Sequence, residues 1–251
     1  MTLDRSDKDR RGGSAIQTDT LDGVRAVVFD LDATLCTYPL SVAEVFAAAL
    51  DRAGIDPAVL GDLSVVQTRY NALWDDTQQR LPATETIRLH IVEQLLAECD
   101  SHDPDLAVQL SDAYGVVRRE SGIRPLDGVL ELLRDLQSRY ALGLLTNGPS
   151  DMQWPKIDSL GVAEFFDAIV VAGDVGIYKP DSRVFEILLD RLHVESGTAL
   201  YVGDNYDVDI VGAHAAGMRA AWVRANGTRP TANVVPDIEV AATAELREAL
   251  L

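Results

Sequence analysis

Five short apolar runs punctuate this chain, at Val24–Phe29, Leu142–Leu145, Ala168–Val171, Leu200–Val202 and Ala220–Val223. Their length and their Gly or Asp exits predict buried parallel strands. Amphipathic helices fall between them. Asp127 is placed to cap a helix whose inner face is Val129, Leu132, Leu133 and Leu136, the i, i+3, i+4, i+7 spacing of one helical face. Asp181 to Leu192 and Asp207 to Ala216 read as two more. Strand alternating with helix predicts an α/β fold, a doubly wound parallel sheet of the Rossmann type.

The stretch between Cys36 and Gly122 breaks that alternation. Ser41 and Glu44 form a capping box, opening a helix with Val42, Val45, Phe46 and Ala49 that stops near Gly54. A second helix is predicted over Ser64 to Trp74, and a third around Ile87, Ile91 and Leu95. A fourth starts at Asp103-Pro104 and shows Leu106, Leu110, Ala113 and Val117 on one face. Four helices without a strand make an all-helical cap, inserted after the first strand and long enough to pack as a small bundle. The expected division is a flexible tail over 1–20, an α/β core over 21–36 and 123–251, and a helical cap over 37–122.

At 251 residues the chain suits one large or two small domains. Its net charge of −18 repels nucleic acid and anionic membranes, so neither is an expected partner. No apolar run approaches the ~18 residues of a membrane span, and the charged first twenty residues do not read as a signal peptide. Cys36 and Cys99 lie far apart, which gives no disulfide scaffold and makes a reducing cytoplasm the expected location. Asp outnumbers Glu 28 to 12, and Lys occurs only as Lys8, Lys156 and Lys179. An acidic, Lys-poor surface suits a cytoplasm of molar salt, where charges are screened over ~3 Å. GC-rich codon usage also favours Arg over Lys, but it does not explain the excess of Asp.

The first run ends in Asp30-Leu31-Asp32. Alternate residues of an extended strand face one way, towards the edge where open α/β sheets bind ligands. In a chain this rich in Asp, chance alone supplies about three Asp-x-Asp pairs, and four occur. This pair differs because four apolar residues, Ala26 to Phe29, precede it. Two carboxylates there are costly unless a cation compensates them. Three further signals follow. Thr146-Asn147-Gly148 sits at the end of the second run, Lys179-Pro180-Asp181 beyond the third, and Gly203-Asp204 at the end of the fourth with Asp209 five residues on. Taken singly these are a turn, a helix start and an acidic helix first turn. The use of Lys at 179, in a chain that otherwise uses Arg, fits a need for a compact ammonium.

In this order the four signals resemble the haloacid dehalogenase superfamily of hydrolases, over about residues 24–225. Thr146-Asn147-Gly148 followed by Met152, Gln153 and Lys156, the spacing from Gly203-Asp204 to Asp209-Ile210, and the helical insert look most like its N-acylneuraminate phosphatase-like, small-metabolite branch. The resemblance implies that Asp30 is a nucleophile forming an aspartyl-phosphate. It implies that Asp32 protonates the leaving alkoxide and then activates water. Thr34, Thr146, Asn147 and Lys179 would bind phosphate. Mg²⁺ would be the cofactor, on Asp30, the backbone carbonyl of Asp32 and Asp204, with Asp209 acting through water. Phosphoryl transfer needs positioning and charge compensation above all, and a carboxylate attacking a phosphate needs cations beside it. Ala33 stands where the family usually carries Gly; a positive φ there would cost roughly 1–2 kcal/mol.

The expected function is therefore a Mg²⁺-dependent phosphatase of small phosphorylated metabolites. A phosphosugar mutase keeps the same residues and differs in the life of its phosphoenzyme. A 2-haloacid dehalogenase needs neither a proton for its leaving halide nor a metal, and leaves Asp32, Asp204 and Asp209 without a use. A non-catalytic binding protein would not need the intact set. From the insert, Tyr38, Arg69, Tyr70, Trp74 and His90 are candidates to face substrate, with packing or surface the commoner fate of each. The sequence assigns no particular substrate and no oligomeric state.

Overall fold

A computed structural model describes residues 21–81, 83–224 and 233–251; the tail expected over 1–20 lies outside the described residues. In chain order the strands and α-helices are β1 (Ala26–Phe29), β2 (Cys36–Thr37), α1 (Val42–Ala53), α2 (Leu63–Thr77), α3 (Thr84–Glu98), α4 (Pro104–Ser121), β3 (Arg124–Pro125), α5 (Val129–Leu136), β4 (Ala141–Thr146), α6 (Ser150–Leu160), β5 (Ala168–Val171), the single turn α7 (Ala172–Val175), α8 (Ser182–Leu192), β6 (Ala199–Gly203), α9 (Val211–Ala215), β7 (Arg219–Val223), β8 (Ile238–Val240) and α10 (Arg247–Leu250).

Six strands form one parallel sheet in the order β5-β4-β1-β6-β7-β8. All five expected strands are in it. The sixth, β8, is three residues long and too short to show a pattern. Successive residues face opposite ways. Val27, Phe29, Leu142, Leu144, Leu200 and Val202 pack towards Leu132, Leu133 and Leu136 of α5 and Ile157 of α6. Ala26, Val28, Tyr201, Ala220 and Trp222 pack towards Val184, Phe185 and Leu188 of α8 and Ala213 of α9. Both faces are covered, which is why the strands read as continuous apolar runs. β1 lies between β4 and β6, so the chain winds away from it in both directions. That makes its carboxyl end the topological switch point, where such sheets open a crevice.

Helices α1 to α4 enclose their own apolar cluster, including Val45, Phe46, Leu50, Ile87, Ile91, Leu95, Leu110 and Tyr114. Each such side chain contributes about 2 kcal/mol on burial. The capping box is present: Ser41 Oγ accepts from the Glu44 N–H at 3.2 Å and Glu44 accepts from the Ser41 N–H at 2.7 Å. Asp103 caps α4 in front of Pro104.

Three local expectations change. Asp127 does not cap α5; the cap position is Gly128, with φ +75° and no side-chain bond. A Cβ at Gly128 would also press on Ala244 at 3.0 Å, so the position takes glycine and the Asp falls one residue too early. The helix expected over Asp207 to Ala216 begins as one π-type turn over Tyr206–Ile210 and continues as α9. Helix α6 was not expected, because Pro155 lies inside it and proline ordinarily breaks a helix interior.

Candidate active site

The crevice is built from the ends of β1, β4 and β6. Phe29 registers with Leu144 on one side and Val202 on the other, and the Asp30 N–H donates to the Val202 carbonyl at 2.9 Å. The chain thus delivers Asp30 beside Asp204, which follows β6. Asp209 comes back to the same point from the π-type turn. A Cβ at Gly203 would lie 2.4 Å from Asp209 Oδ2, so only glycine lets that carboxylate reach the strand end. Oxygens of Asp30, Asp204 and Asp209 all lie within 4.8 Å of one another.

Lys179 enters from the turn before α8. Its Nζ lies 2.7 Å from Asp30 Oδ1, 2.7 Å from Asp209 Oδ1 and 2.8 Å from the Tyr201 hydroxyl. Its side chain is 2% exposed; burial pushes its pKa down, but the carboxylates of Asp209 and Asp30 outweigh that and hold it well above the ordinary lysine value. Asn147 holds the Lys179 backbone from both sides: Oδ1 accepts from its N–H at 2.9 Å and Nδ2 donates to its carbonyl at 3.1 Å. Asn147 thereby fixes the lysine, and both ends of its amide are engaged.

One ammonium therefore serves three carboxylates. Burial raises the Asp30 carboxyl to about 7, with Lys179 opposing and Asp209 and Asp32 adding to the rise. Asp204 is raised to about 8 by burial and by its neighbours Asp30 and Asp209. Among the described residues no second cation pairs with Asp30, and no donor reaches its Oδ2. Hard oxygen donors, crowded and short of positive charge, are what a divalent cation such as Mg²⁺ takes. Asp30 and Asp204 are the donors open to it. Asp209 has its Oδ1 on Lys179 and its Oδ2 on the Asn205 N–H at 3.0 Å, so it stands behind them.

Asp32 has a different partner. Lys156 of α6 places Nζ 2.8 Å from both its oxygens, and Gln153 Nε2 lies 3.1 Å from Oδ2. Its side chain is 42% exposed. Desolvation pushes its carboxyl up, but the charge and hydrogen bond of Lys156 and the bond from Gln153 outweigh that and hold it below the ordinary carboxylate range. Gln153 also reaches Thr146 Oγ1 at 2.9 Å, tying the end of β4 to Asp32. Gly148, with φ +114°, passes so close to Gln153 that a Cβ would lie 3.0 Å from its Nε2.

Lys156, Gln153 and Tyr201 are the contributors that sequence reasoning gave no role. Lys156 carries the same signal as Lys179, a rare lysine in an arginine chain, and Gln153 sits three residues before it on one helical face. Tyr201 carries no signal, since it sits in an ordinary apolar run.

Other candidates sit elsewhere. Thr34 is 0% exposed, its hydroxyl has no partner among the described residues, and its carbonyl accepts from the Thr243 hydroxyl at 2.6 Å. Its side chain is buried behind the strand end. Arg69 pairs with Glu98 on the surface. Tyr70 stacks on Tyr114 and Trp74 at ring distances of 5.2 and 5.9 Å, inside the bundle. His90 faces Gln94 at 2.7 Å. Of the insert candidates, Tyr38 does reach the crevice: its ring lies 5.3 Å from Lys156 Nζ and 4.5 Å from the Arg118 guanidinium carbon. Ala33 has φ +59° with its N–H on the Cys36 carbonyl at 2.9 Å. This is the strained alternative.

Among known proteins, the profile of the haloacid dehalogenase-like hydrolases matches residues 24–217. The chain is 38% identical over 149 residues to phosphoserine phosphatase of Thermus thermophilus, covering 59% of this chain and 58% of that one. The match thus spans little more than half of that relative. Glyceraldehyde 3-phosphate phosphatase of Methanopyrus kandleri is 30% identical over 230 residues, covering 89% of this chain and 95% of that one. The crystal structure of 2-haloacid dehalogenase from Pseudomonas syringae pv. Tomato superposes with a TM-score of 0.63 at 30% identity, covering 90% of this chain and 98% of that one.

Proposed function

This chain belongs to the haloacid dehalogenase-like hydrolases, and we propose that it is a Mg²⁺-dependent phosphatase of small phosphorylated metabolites that works through an aspartyl-phosphate on Asp30. The observation that carries this reading is geometric: oxygens of Asp30, Asp204 and Asp209 lie within 4.8 Å of one another around one buried ammonium, Lys179, while Asp32, two residues on, is held apart on its own Lys156. Three carboxylates on one ammonium call for a divalent cation, and a separate carboxyl at the mouth is free for proton transfer.

Asp30 Oδ1 is held by Lys179, which leaves Oδ2 to attack phosphorus as the bond to the leaving oxygen breaks. That oxygen takes its proton from Asp32. Lys156 keeps Asp32 ionised before substrate arrives; the charge of a bound phosphate opposes that of Lys156 and returns Asp32 towards the range where it carries a proton. In the second half, Asp32 takes a proton from water, which attacks the aspartyl-phosphate, releases phosphate and restores Asp30. Asp30 and Asp204, with the Asp32 carbonyl, would hold Mg²⁺, which when bound supplies the positive charge that lets carboxylate and phosphate approach. Asn147 and Asp209 keep Lys179 in place for the phosphoryl oxygens.

The likeness to 2-haloacid dehalogenase favours a second reading, attack of Asp30 on a carbon bearing halogen. That reaction gives Asp204 and a proton on Asp32 nothing to do. The test measures phosphate release from p-nitrophenyl phosphate and halide release from 2-chloropropionate, each with Mg²⁺ and with EDTA, at molar KCl. Phosphate release that EDTA abolishes is expected. Halide release persisting in EDTA, without phosphate release, would overturn the proposal. The two phosphatase relatives disagree about the far end of the substrate. Phosphoserine carries a carboxylate there, and glyceraldehyde 3-phosphate carries no second anion.

A further inference from the structure

We propose that the helical insert holds an anion-reading site made by Arg88 and Arg118, so that the substrate bears a second anionic group, a carboxylate or a second phosphate, at the end away from the phosphoryl group it loses. This rests on the phosphatase reading and narrows its substrate class.

Several arginines on the surface of this protein sit on carboxylates, among them Arg52 on Glu120, Arg69 on Glu98, Arg183 on Asp181 and Arg224 on Glu239; others, such as Arg139 and Arg191, are exposed and donate to backbone carbonyls. Arg88 of α3 does neither. It is 6% exposed, and its one hydrogen bond runs from Nε to Ser111 Oγ at 3.2 Å. Among the described residues no carboxylate pairs with it, and no acceptor meets Nη1 or Nη2. A buried guanidinium without a counter-ion is strongly unfavourable, and this chain has 40 acidic residues from which to supply one. The fold instead makes room for it. A Cβ on Gly115 of α4 would lie 2.8 Å from Arg88 Cζ, so the guanidinium rests on a bare helix backbone, at the usual cost of glycine within a helix.

Arg118 lies three residues beyond Gly115 on α4. It too lacks a carboxylate: Nη1 donates to the Leu40 carbonyl at 2.8 Å and Nη2 to the Tyr114 hydroxyl at 2.9 Å. Tyr114, whose hydroxyl takes the Arg118 bond, is the chain neighbour of Gly115, on which the Arg88 guanidinium rests. From there contacts lead down to the catalytic edge. Arg118 lies over Tyr38, Tyr38 over Lys156, and Lys156 on Asp32. One turn before Arg88 on α3, Thr84 bonds the core residue Asp151 at 2.7 Å, so Arg88 sits in the part of the insert nearest the core. The cations therefore form a series, Lys179, Lys156, Arg118, Arg88. A single phosphoryl group uses Lys179, and Lys156 holds Asp32. The arginines remain: Arg88 keeps both Nη groups free of acceptors among the described residues, in a planar fork that matches carboxylate or phosphate oxygens in pairs, with the charge of Arg118 beside it.

The experiment compares wild type with Arg88→Met and Arg88→Lys. The substrates are O-phosphoserine, a sugar bisphosphate, glycerol phosphate and p-nitrophenyl phosphate, all with Mg²⁺. Wild type should prefer one of the first two over glycerol phosphate; which of them leads tells carboxylate from phosphate. Arg88→Met should lower kcat/KM for that substrate by about 50-fold, chiefly through KM, with p-nitrophenyl phosphate within about threefold. If Arg88→Met does not fold, Arg88→Lys, which keeps the charge without the fork, should still lose about tenfold selectively. Equal losses on all substrates, or a wild-type preference for glycerol phosphate, would overturn the inference. Absence of phosphate release from every substrate by wild type would overturn the phosphatase reading instead.

Discussion

Two lysine–aspartate pairs stand side by side at the end of β1, and they have opposite consequences. Lys179 bonds Asp30 and Asp209 together, and Asp204 adjoins them with only the charge of the same lysine to offset its own. Lys156 serves Asp32 alone. The residue types are the same and the aspartates are two positions apart. The difference lies in the ratio of carboxylates to ammonium and in depth. Three acids around one buried cation leave a site that wants more positive charge. One acid on one cation, at the mouth of the crevice, leaves a carboxylate that resists protonation. A carboxylate–lysine contact therefore says little about chemistry until the other charges around it are counted.

The largest effect should separate the two aspartates themselves. Asp30→Asn should remove turnover altogether, because in the proposed reaction its oxygen is the nucleophile. Asp32→Asn should slow attack on alkyl phosphates by ~10²–10⁴ and spare much of it on p-nitrophenyl phosphate, whose leaving group hardly needs a proton. A burst of p-nitrophenol followed by a slow steady rate is the expected trace. Equal burst-phase losses on both substrates would erase the distinction between the pairs.

Lys156→Met should come next. Without its lysine the Asp32 carboxyl rises, so the acid limb of the pH–rate profile should move to higher pH, with folding preserved. An unmoved limb would show that Lys156 does not set the state of Asp32.

Metal dependence tests the other pair. Burial, with neighbouring carboxylates, pushes Asp30 up to about 7 and Asp204 up to about 8 in the metal-free folded protein, from 3.8 for a free aspartate. Between those limits the folded state binds more protons than the unfolded one, so the metal-free protein loses stability as pH rises through this window. Mg²⁺ should offset that loss, and the gain in Tm over EDTA should be larger at pH 8.5 than at pH 5.5. An equal gain at both would contradict the charge-deficient reading.

Salt acts on the surface more than on buried pairs. A net charge of −18 should make the Tm higher in 2 M KCl than in 0.05 M. A flat or reversed response would favour codon usage as the source of the lysine shortage. The smallest effect belongs to the turn that follows Asp32. Ala33→Gly should stabilise by roughly 0.5 kcal/mol, relief of the left-handed alanine less the entropy of glycine, read as a Tm rise of about 1–2 °C.

Placement at strand ends was legible where an apolar run announced it. Asp30, Asp32, Thr146 and Asp204 lie where the runs at Val24, Leu142 and Leu200 put them, and the scarcity of lysine singled out Lys179. The same scarcity pointed equally to Lys156, but Pro155 concealed the helix that presents it. That Thr34 would be fully buried was not legible, because position in a motif does not reveal depth. Arg88 and Arg118 were invisible because an arginine on an amphipathic helix ordinarily faces water; only in three dimensions is Arg88 seen to be buried without a carboxylate among the described residues, with Arg118 one turn from the glycine on which Arg88 rests. Asp127 and β8 were missed at the scale of one turn and three residues, below what periodicity resolves.

Helix α3 has no cap of its own. Ala83 precedes it and makes no side-chain bond. The Thr84 N–H and hydroxyl are instead taken by Asp151, which stands in the first turn of α6 on the sheet side. A missing N-cap ordinarily costs about 1 kcal/mol, and here it is repaid only while the two parts of the molecule touch. The winding of one helix end and the docking of a domain are then linked equilibria. Whatever draws the bundle from the sheet should loosen the amide of Thr84, and whatever seals it should protect that amide. Slow hydrogen exchange at this one position would then report the closed state, on a peptide group that takes no part in the reaction.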